Sequence, residues 1–115
     1  LSDGFFKQWC FIIRTVCKLS DREMEVTACF LKHRHRLSQT VSDPALVDTL
    51  LMSKDISRKV MAECGISQQN LYVIMGNLKK RGVFSKKGIN PLLIPNLTNS
   101  KYFQLVFLFE NTATE

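Results

Sequence analysis

The side chains best placed for chemistry lie between positions 67 and 87. A helix predicted over 68–81 puts Leu71, Ile74, Met75 and Leu78 on one face. Gln69, Tyr72, Val73, Gly76, Asn77 and Lys80 then fall on the other. Gln and Asn can pair bidentately with adenine, and a lysine beside them reaches guanine or phosphate. The helix ends in Lys79, Lys80 and Arg81, and Lys86 and Lys87 follow within a few residues. From Cys64 to Phe109 there are six basic residues and no acidic one, whereas elsewhere the two signs cancel. The formal charge of +6 therefore resides in this segment, which favours a polyanionic partner. Taken singly, Gln69 and Asn77 fit an ordinary solvated face; the segregated charge is what argues against it. Gly76 costs a helix about 1 kcal/mol against Ala. It reads equally as a weak spot or as room for a closely approaching backbone.

Other chemistry finds little support. The cysteines at 10, 17, 29 and 64 have no C-x-x-C spacing and lie among apolar residues, as reduced, buried thiols do. Cys29, His33 and His35 place a thiol and imidazoles about one turn apart, which is half a zinc site with no evident further ligands. No metal site is assigned. The chain has no P-loop, no Gly-rich dinucleotide loop and no H-E-x-x-H, and the basic half has no carboxylate for acid–base work. Neither an enzyme nor a cofactor is expected.

A chain of 115 residues with 45% apolar content suits one domain with one core. No apolar run reaches the roughly 18 residues of a membrane span, and no signal peptide is visible. A cytoplasmic location is expected, either nucleoid-associated or in a host cytoplasm.

The elements that must hold the basic segment follow from spacing and caps. Over 4–18, Phe5, Trp9, Ile12, Ile13 and Val16 recur at helical spacing, widened by Cys10 and Phe11. That helix is expected to pack on the core, with a homodimer seam as the second option. Ser20 and Glu23 form a capping box for a helix to about 34 or 35 that buries Met24, Thr27, Ala28 and Leu31. Its end, Lys32 to Arg36, complements the negative end of the helix dipole. Residues 37–43 read as a loop. Asp43-Pro44 opens a short helix over 44–52 with Leu46, Leu50 and Val47 inward. Ser53 caps a helix carrying Ile56, Val60 and Met61; Gly65 ends it, and Ser67 caps the next. Gly82 stops that helix and Val83-Phe84 begin a strand. Residues 85–88 have turn composition, and 89–95 are expected to be extended because of Pro91 and Pro95. Phe103, Leu105, Phe107 and Phe109 alternate to one face of a strand expected to pair with 83–86; 111–115 is a tail.

Helix, turn, helix and basic-tipped hairpin resemble the winged helix-turn-helix superfamily. The resemblance covers about 53–110. It is carried by the capped helix of ISQQNLYVIMGNLKKRGVF and its Leu78-Lys79-Lys80-Arg81-Gly82-Val83 exit into a strand. The 85–102 segment is longer than a simple wing. The Leu19-Ser20-Asp21-Arg22-Glu23 opening also resembles LuxR-type and sigma-region-4-like regulators, which usually lack a wing. What the superfamily resemblance implies is an α+β, mainly helical winged helix-turn-helix domain over 1–115. Residues 1–36 would be an N-terminal helical part, 53–81 the helix pair and 83–110 the wing hairpin. It would be a transcription regulator that binds double-stranded DNA in a sequence-specific way. Gln68, Gln69, Tyr72, Val73 and Asn77 would meet base edges. Ser67, Lys79, Lys80 and Arg81 would hold phosphates, with Lys86 and Lys87 at the wing tip. The alternative use of the same fold is protein docking, in an adaptor or in an assembly such as a phage particle or polymerase complex. RNA binding is a weaker third, since no stacking platform of aromatics is visible.

Overall fold

Short polar side chains fix where the helices begin. In the computed structural model, which describes residues 4–95, Ser20, Asp43, Ser53 and Ser67 each accept a hydrogen bond from a backbone N–H in the first turn of the following helix. Each such cap contributes about 1 kcal/mol. They open α2 (Asp21–Thr40), α3 (Pro44–Leu51), α4 (Lys54–Cys64) and α5 (Gln68–Lys80), preceded by α1 (Gly4–Cys17). At Ser20 the capping box is complete: its hydroxyl accepts from the Glu23 N–H, and its own N–H donates to Glu23 Oε1 at 2.8 Å. Gly65 takes the left-handed conformation, with φ 63°, and turns the chain from α4 towards α5. After α5, β1 (Phe84–Ser85) and β2 (Gly88–Ile89) pair antiparallel, Phe84 opposite Ile89. The fold is α+β and mainly helical. No helix among the described residues is long and apolar enough to cross a membrane.

One core joins these elements, from Phe6 to Ile89. The middle of α2 is buried nearly all round, at Met24 and from Val26 to Leu31, and packs against α1, α3, α4 and α5. A helix apolar on every side has to sit at the centre. Phe30 meets Phe84 edge-on, with ring centroids 5.2 Å apart, so the hairpin closes over the same core. The Trp9 indole N–H donates to the Leu93 carbonyl at 2.8 Å and ties the end of the described chain to α1.

Several expectations are corrected. The second helix runs to Thr40 rather than stopping near 35, and takes in most of the expected loop. Half-buried Leu37 packs on the core there. The Ser38 and Thr40 hydroxyls donate back to the carbonyls of His35 and Leu37. The basic stretch 32–36 is therefore mid-helix, and dipole complementarity does not explain it. In α1 the buried face is Phe6, Trp9, Cys10 and Ile13, while Phe11 and Val16 are exposed. In α3 it is Val47 and Leu51, and Leu46 and Leu50 face outward. Both segments carry enough apolar residues for two stripes one position out of phase. Residues 89–95 are not wholly extended: Asn90 caps a 3-10 turn over Pro91–Leu93. The hairpin is closed by 88–89, next to its own turn; the expected strand 103–109, the rest of the 83–110 wing and the 111–115 tail lie outside the described residues.

Candidate nucleic-acid interface

Leu71 and Leu78 anchor α5 to the core. The opposite face is open. Gln68 and Gln69 are exposed, as is Val73, and Tyr72 is 81% exposed. Asn77 is half-buried at the margin. Ser67 is exposed, but its hydroxyl already accepts from the Asn70 N–H as the helix cap. Nothing lies within 4 Å of where a Cβ would stand on Gly76, so the bare backbone there faces open space.

Beside this face runs a groove of about 480 Å³ between α4 and α5. Its apolar lining includes Met52, Met61, Leu71 and Met75; its rim carries Lys54, Arg58, Gln68, Tyr72 and Lys79. Lys54 and Arg58 are one turn apart on α4 and were not among the expected site residues. The signal was present as an i, i+4 cationic pair on the first of the two helices, masked in the charge count by Asp55 and Glu63 nearby. Asp55 lies 3.6 Å from Lys59 instead.

Charge pairing separates two groups of cations. Lys32 Nζ lies 2.8 Å from Glu63 Oε2, His33 Nε2 lies 3.0 Å from Glu63 Oε1, and Arg34 Nε lies 3.2 Å from Asp48 Oδ1. These contacts tie α2 to α4 and to α3. Burial alone would raise the Glu63 carboxyl; the hydrogen bonds from Cys29 and Lys32 and the charges of His33 and Lys32 outweigh it and hold it at about 2. Burial lowers His33. By contrast, Lys54, Arg58, Lys79, Lys80, Lys86 and Lys87 make no ion pair among the described residues, and all are exposed. Lys86 and Lys87 form the tip of the hairpin between Ser85 and Gly88.

Arg81 belongs to the first group. Its Nη1 donates to Glu23 Oε1 at 2.7 Å and to the Lys18 carbonyl. The Glu23 side chain is only 5% exposed, so the end of α5 is fastened to the capping box of α2 through a nearly buried carboxylate. Lys18 itself takes a positive φ of 56°, which its carbonyl bond to Arg81 helps to hold. The structure thus leaves Gln68, Gln69, Tyr72, Val73, Lys79 and Lys80 presented outward on α5, with Lys86 and Lys87 outward on the hairpin, and gives Arg81 an internal partner. At the hairpin, Gly88 has φ 126°, and a Cβ there would stand 3.2 Å from Asp48 Oδ1. The residue that neutralises Arg34 therefore also abuts the hairpin turn.

Searches against protein-family models, curated proteins and solved structures found no match to this chain.

Proposed function

We propose that this chain is a winged helix-turn-helix domain that binds double-stranded DNA as a transcription regulator, with α5 in the major groove. The observation that carries the reading is the set of exposed cations with no ion-pair partner among the described residues on α4, α5 and the hairpin tip: Lys54, Arg58, Lys79, Lys80, Lys86 and Lys87. Protein interiors and ordinary surfaces tend to intersperse the two signs; a run of unpaired cations around one outward helix suits phosphates. In this reading Gln68, Gln69 and Asn77 meet base edges while Tyr72 and Val73 make apolar contacts, for example with thymine methyl groups. The lysines set register and orientation without reading sequence.

The test is a fluorescence-anisotropy titration with random-sequence duplex at low and moderate salt. If each of the named cations meets one phosphate, log affinity should fall against log salt with a slope of about −5. A Lys79→Gln/Lys80→Gln variant should bind more weakly and with a shallower slope. Arg81 is left intact in that variant because its loss would disturb the fold.

One observation favours a second reading. The groove beside α5 is lined by Met52, Met61 and Met75, and Tyr72 stands exposed at its rim. Methionine-lined grooves suit an amphipathic helix of a partner protein. A folded chain that binds no duplex even at low salt would overturn the DNA reading in favour of that one.

A further inference from the structure

Cys29 and His33 stand one turn apart on α2, and the end of α4 meets them with Glu63 and Cys64. The Cys29 thiol, a His33 ring nitrogen and a Glu63 oxygen all lie within 4.8 Å of one another. Cys29 Sγ is 2.9 Å from Glu63 Oε2, and His33 Nε2 is 3.0 Å from Glu63 Oε1. Cys64 is the neighbour of Glu63 in sequence, and its thiol donates instead to the Glu25 carbonyl at 4.0 Å, one turn before Cys29 on α2. Cys29, His33 and Cys64 are buried, while Glu63 is partly open to solvent. His35, the other imidazole of the stretch, turns away: its ring lies 5.7 Å from that of Phe6.

We propose that Cys29, His33 and Glu63 form a zinc site that clamps α2 to the end of α4, with a water from solvent as the fourth ligand. Thiolate, imidazole and carboxylate are the ligand types zinc takes, and three protein ligands with one water complete a tetrahedron. Bond lengths of about 2.0–2.3 Å separate tetrahedral ligand atoms by roughly 3.3–3.7 Å. The Cys29–Glu63 and His33–Glu63 pairs therefore need to open by less than an ångström. Two ligands one turn apart on one helix and a carboxylate from another are a compact donor set from only two elements. An opening of about 300 Å³ lined by His33, Thr40, Lys59 and Glu63 gives an access path from solvent. Lys32 supplies the positive charge at Glu63 when no metal is bound. Its side chain is 21% exposed and can swing outward when zinc enters. Binding releases the Cys29 thiol proton to solvent. The site lies immediately before Gly65, so it would hold the turn from which α5 departs. It does not depend on what α5 contacts.

The test uses the whole chain, reduced and stripped of metal with a chelator, then titrated with Co²⁺ and with Zn²⁺. The expected result is one equivalent of cobalt per chain, with the visible bands of a tetrahedral ion and thiolate-to-cobalt charge transfer, both bleached by zinc. Native mass spectrometry should show the mass of one zinc less that of two protons, and zinc should raise the melting temperature. Cys29→Ser should remove the charge-transfer band, while Cys17→Ser leaves it unchanged. Because a cluster variant can unfold, each is checked by circular dichroism, and the wild-type titration and mass stand without them. A folded, reduced chain that takes up no metal would overturn the proposal in favour of a plain hydrogen-bonded network. So would a cobalt spectrum that survives unaltered in Cys29→Ser. A metal-free mass two hydrogens low after removal of the reductant, with no zinc uptake beforehand, would show a disulfide between two of the cysteines in place of a metal site.

Discussion

Lys32–Arg36 and Lys79–Lys87 look alike as strings of basic residues, and the fold uses them differently. The first lies mid-helix on α2. Lys32, His33 and Arg34 reach carboxylates on α4 and α3, at Glu63 and Asp48. The second runs from the last turn of α5 into the hairpin tip, and among the described residues only Arg81 in it has an acidic partner. A count of charges along the chain cannot separate the two. What separates them is whether a carboxylate from another element comes within reach. The first stretch is internal mortar between helices, and the second is open surface with a single pin. Lys54 and Arg58 on α4 extend that open surface.

The largest effect is expected where the pin is pulled. Arg81→Ala leaves Glu23 with a nearly buried carboxylate and no cation, and frees the Lys18 carbonyl. The cost should be about 3 kcal/mol, at the lower end for a broken buried pair because the guanidinium is partly exposed. Urea denaturation followed by circular dichroism measures it. A loss under about 0.5 kcal/mol would move Arg81 to the open group and make it a free phosphate ligand after all.

Arg34→Ala comes next. Its ion pair with Asp48 is mostly shielded, with side-chain exposures of 16% and 27%. The expected destabilisation is about 2 kcal/mol, with duplex affinity at a given salt unchanged once the protein is folded. A shallower salt slope in this variant would show that α2 also faces the nucleic acid, and would dissolve the distinction between the two stretches. Lys79→Gln/Lys80→Gln should do the reverse. Stability should move by less than about 0.5 kcal/mol, while affinity falls about tenfold and the salt slope flattens by nearly two.

How far these roles could be read from the sequence depends on the distance to the partner. The helix starts were legible because Ser20, Asp43, Ser53 and Ser67 act within three residues of themselves. So was the turn at Gly65, and with it the α4–α5 pair and the outward face of α5. The roles of Lys32, His33 and Arg81 were not, because their carboxylates lie 31, 30 and 58 residues away. The same distance hid the cluster around Cys29, half of which sits on α4. The inward faces of α1 and α3 were misjudged for another reason: Phe5/Phe6 and Leu46/Val47 offer rival stripes, and only packing against α2 selects one. The hairpin was legible as a turn with lysines at its tip. Its short register depends on Gly88 fitting against Asp48, a contact across 40 positions that no local pattern announces.

The smallest expected effect is also the one that tests the open surface most directly. At Gly76 a Cβ meets nothing within 4 Å, and φ is ordinary, so alanine fits without strain. Gly76→Ala should stabilise the fold by about 1 kcal/mol through helix propensity alone. If α5 lies in a groove with Gly76 against the nucleic acid, the added methyl obstructs close approach, and the same variant should bind duplex several-fold more weakly. Stability rising while affinity falls is a combination that a weak spot on an idle surface does not produce. If both measurements improve or only stability changes, Gly76 stands clear of the partner, and the contact face of α5 must be drawn towards Gln68, Gln69 and Tyr72 at its start. Thermal denaturation and anisotropy on one protein preparation decide between these outcomes.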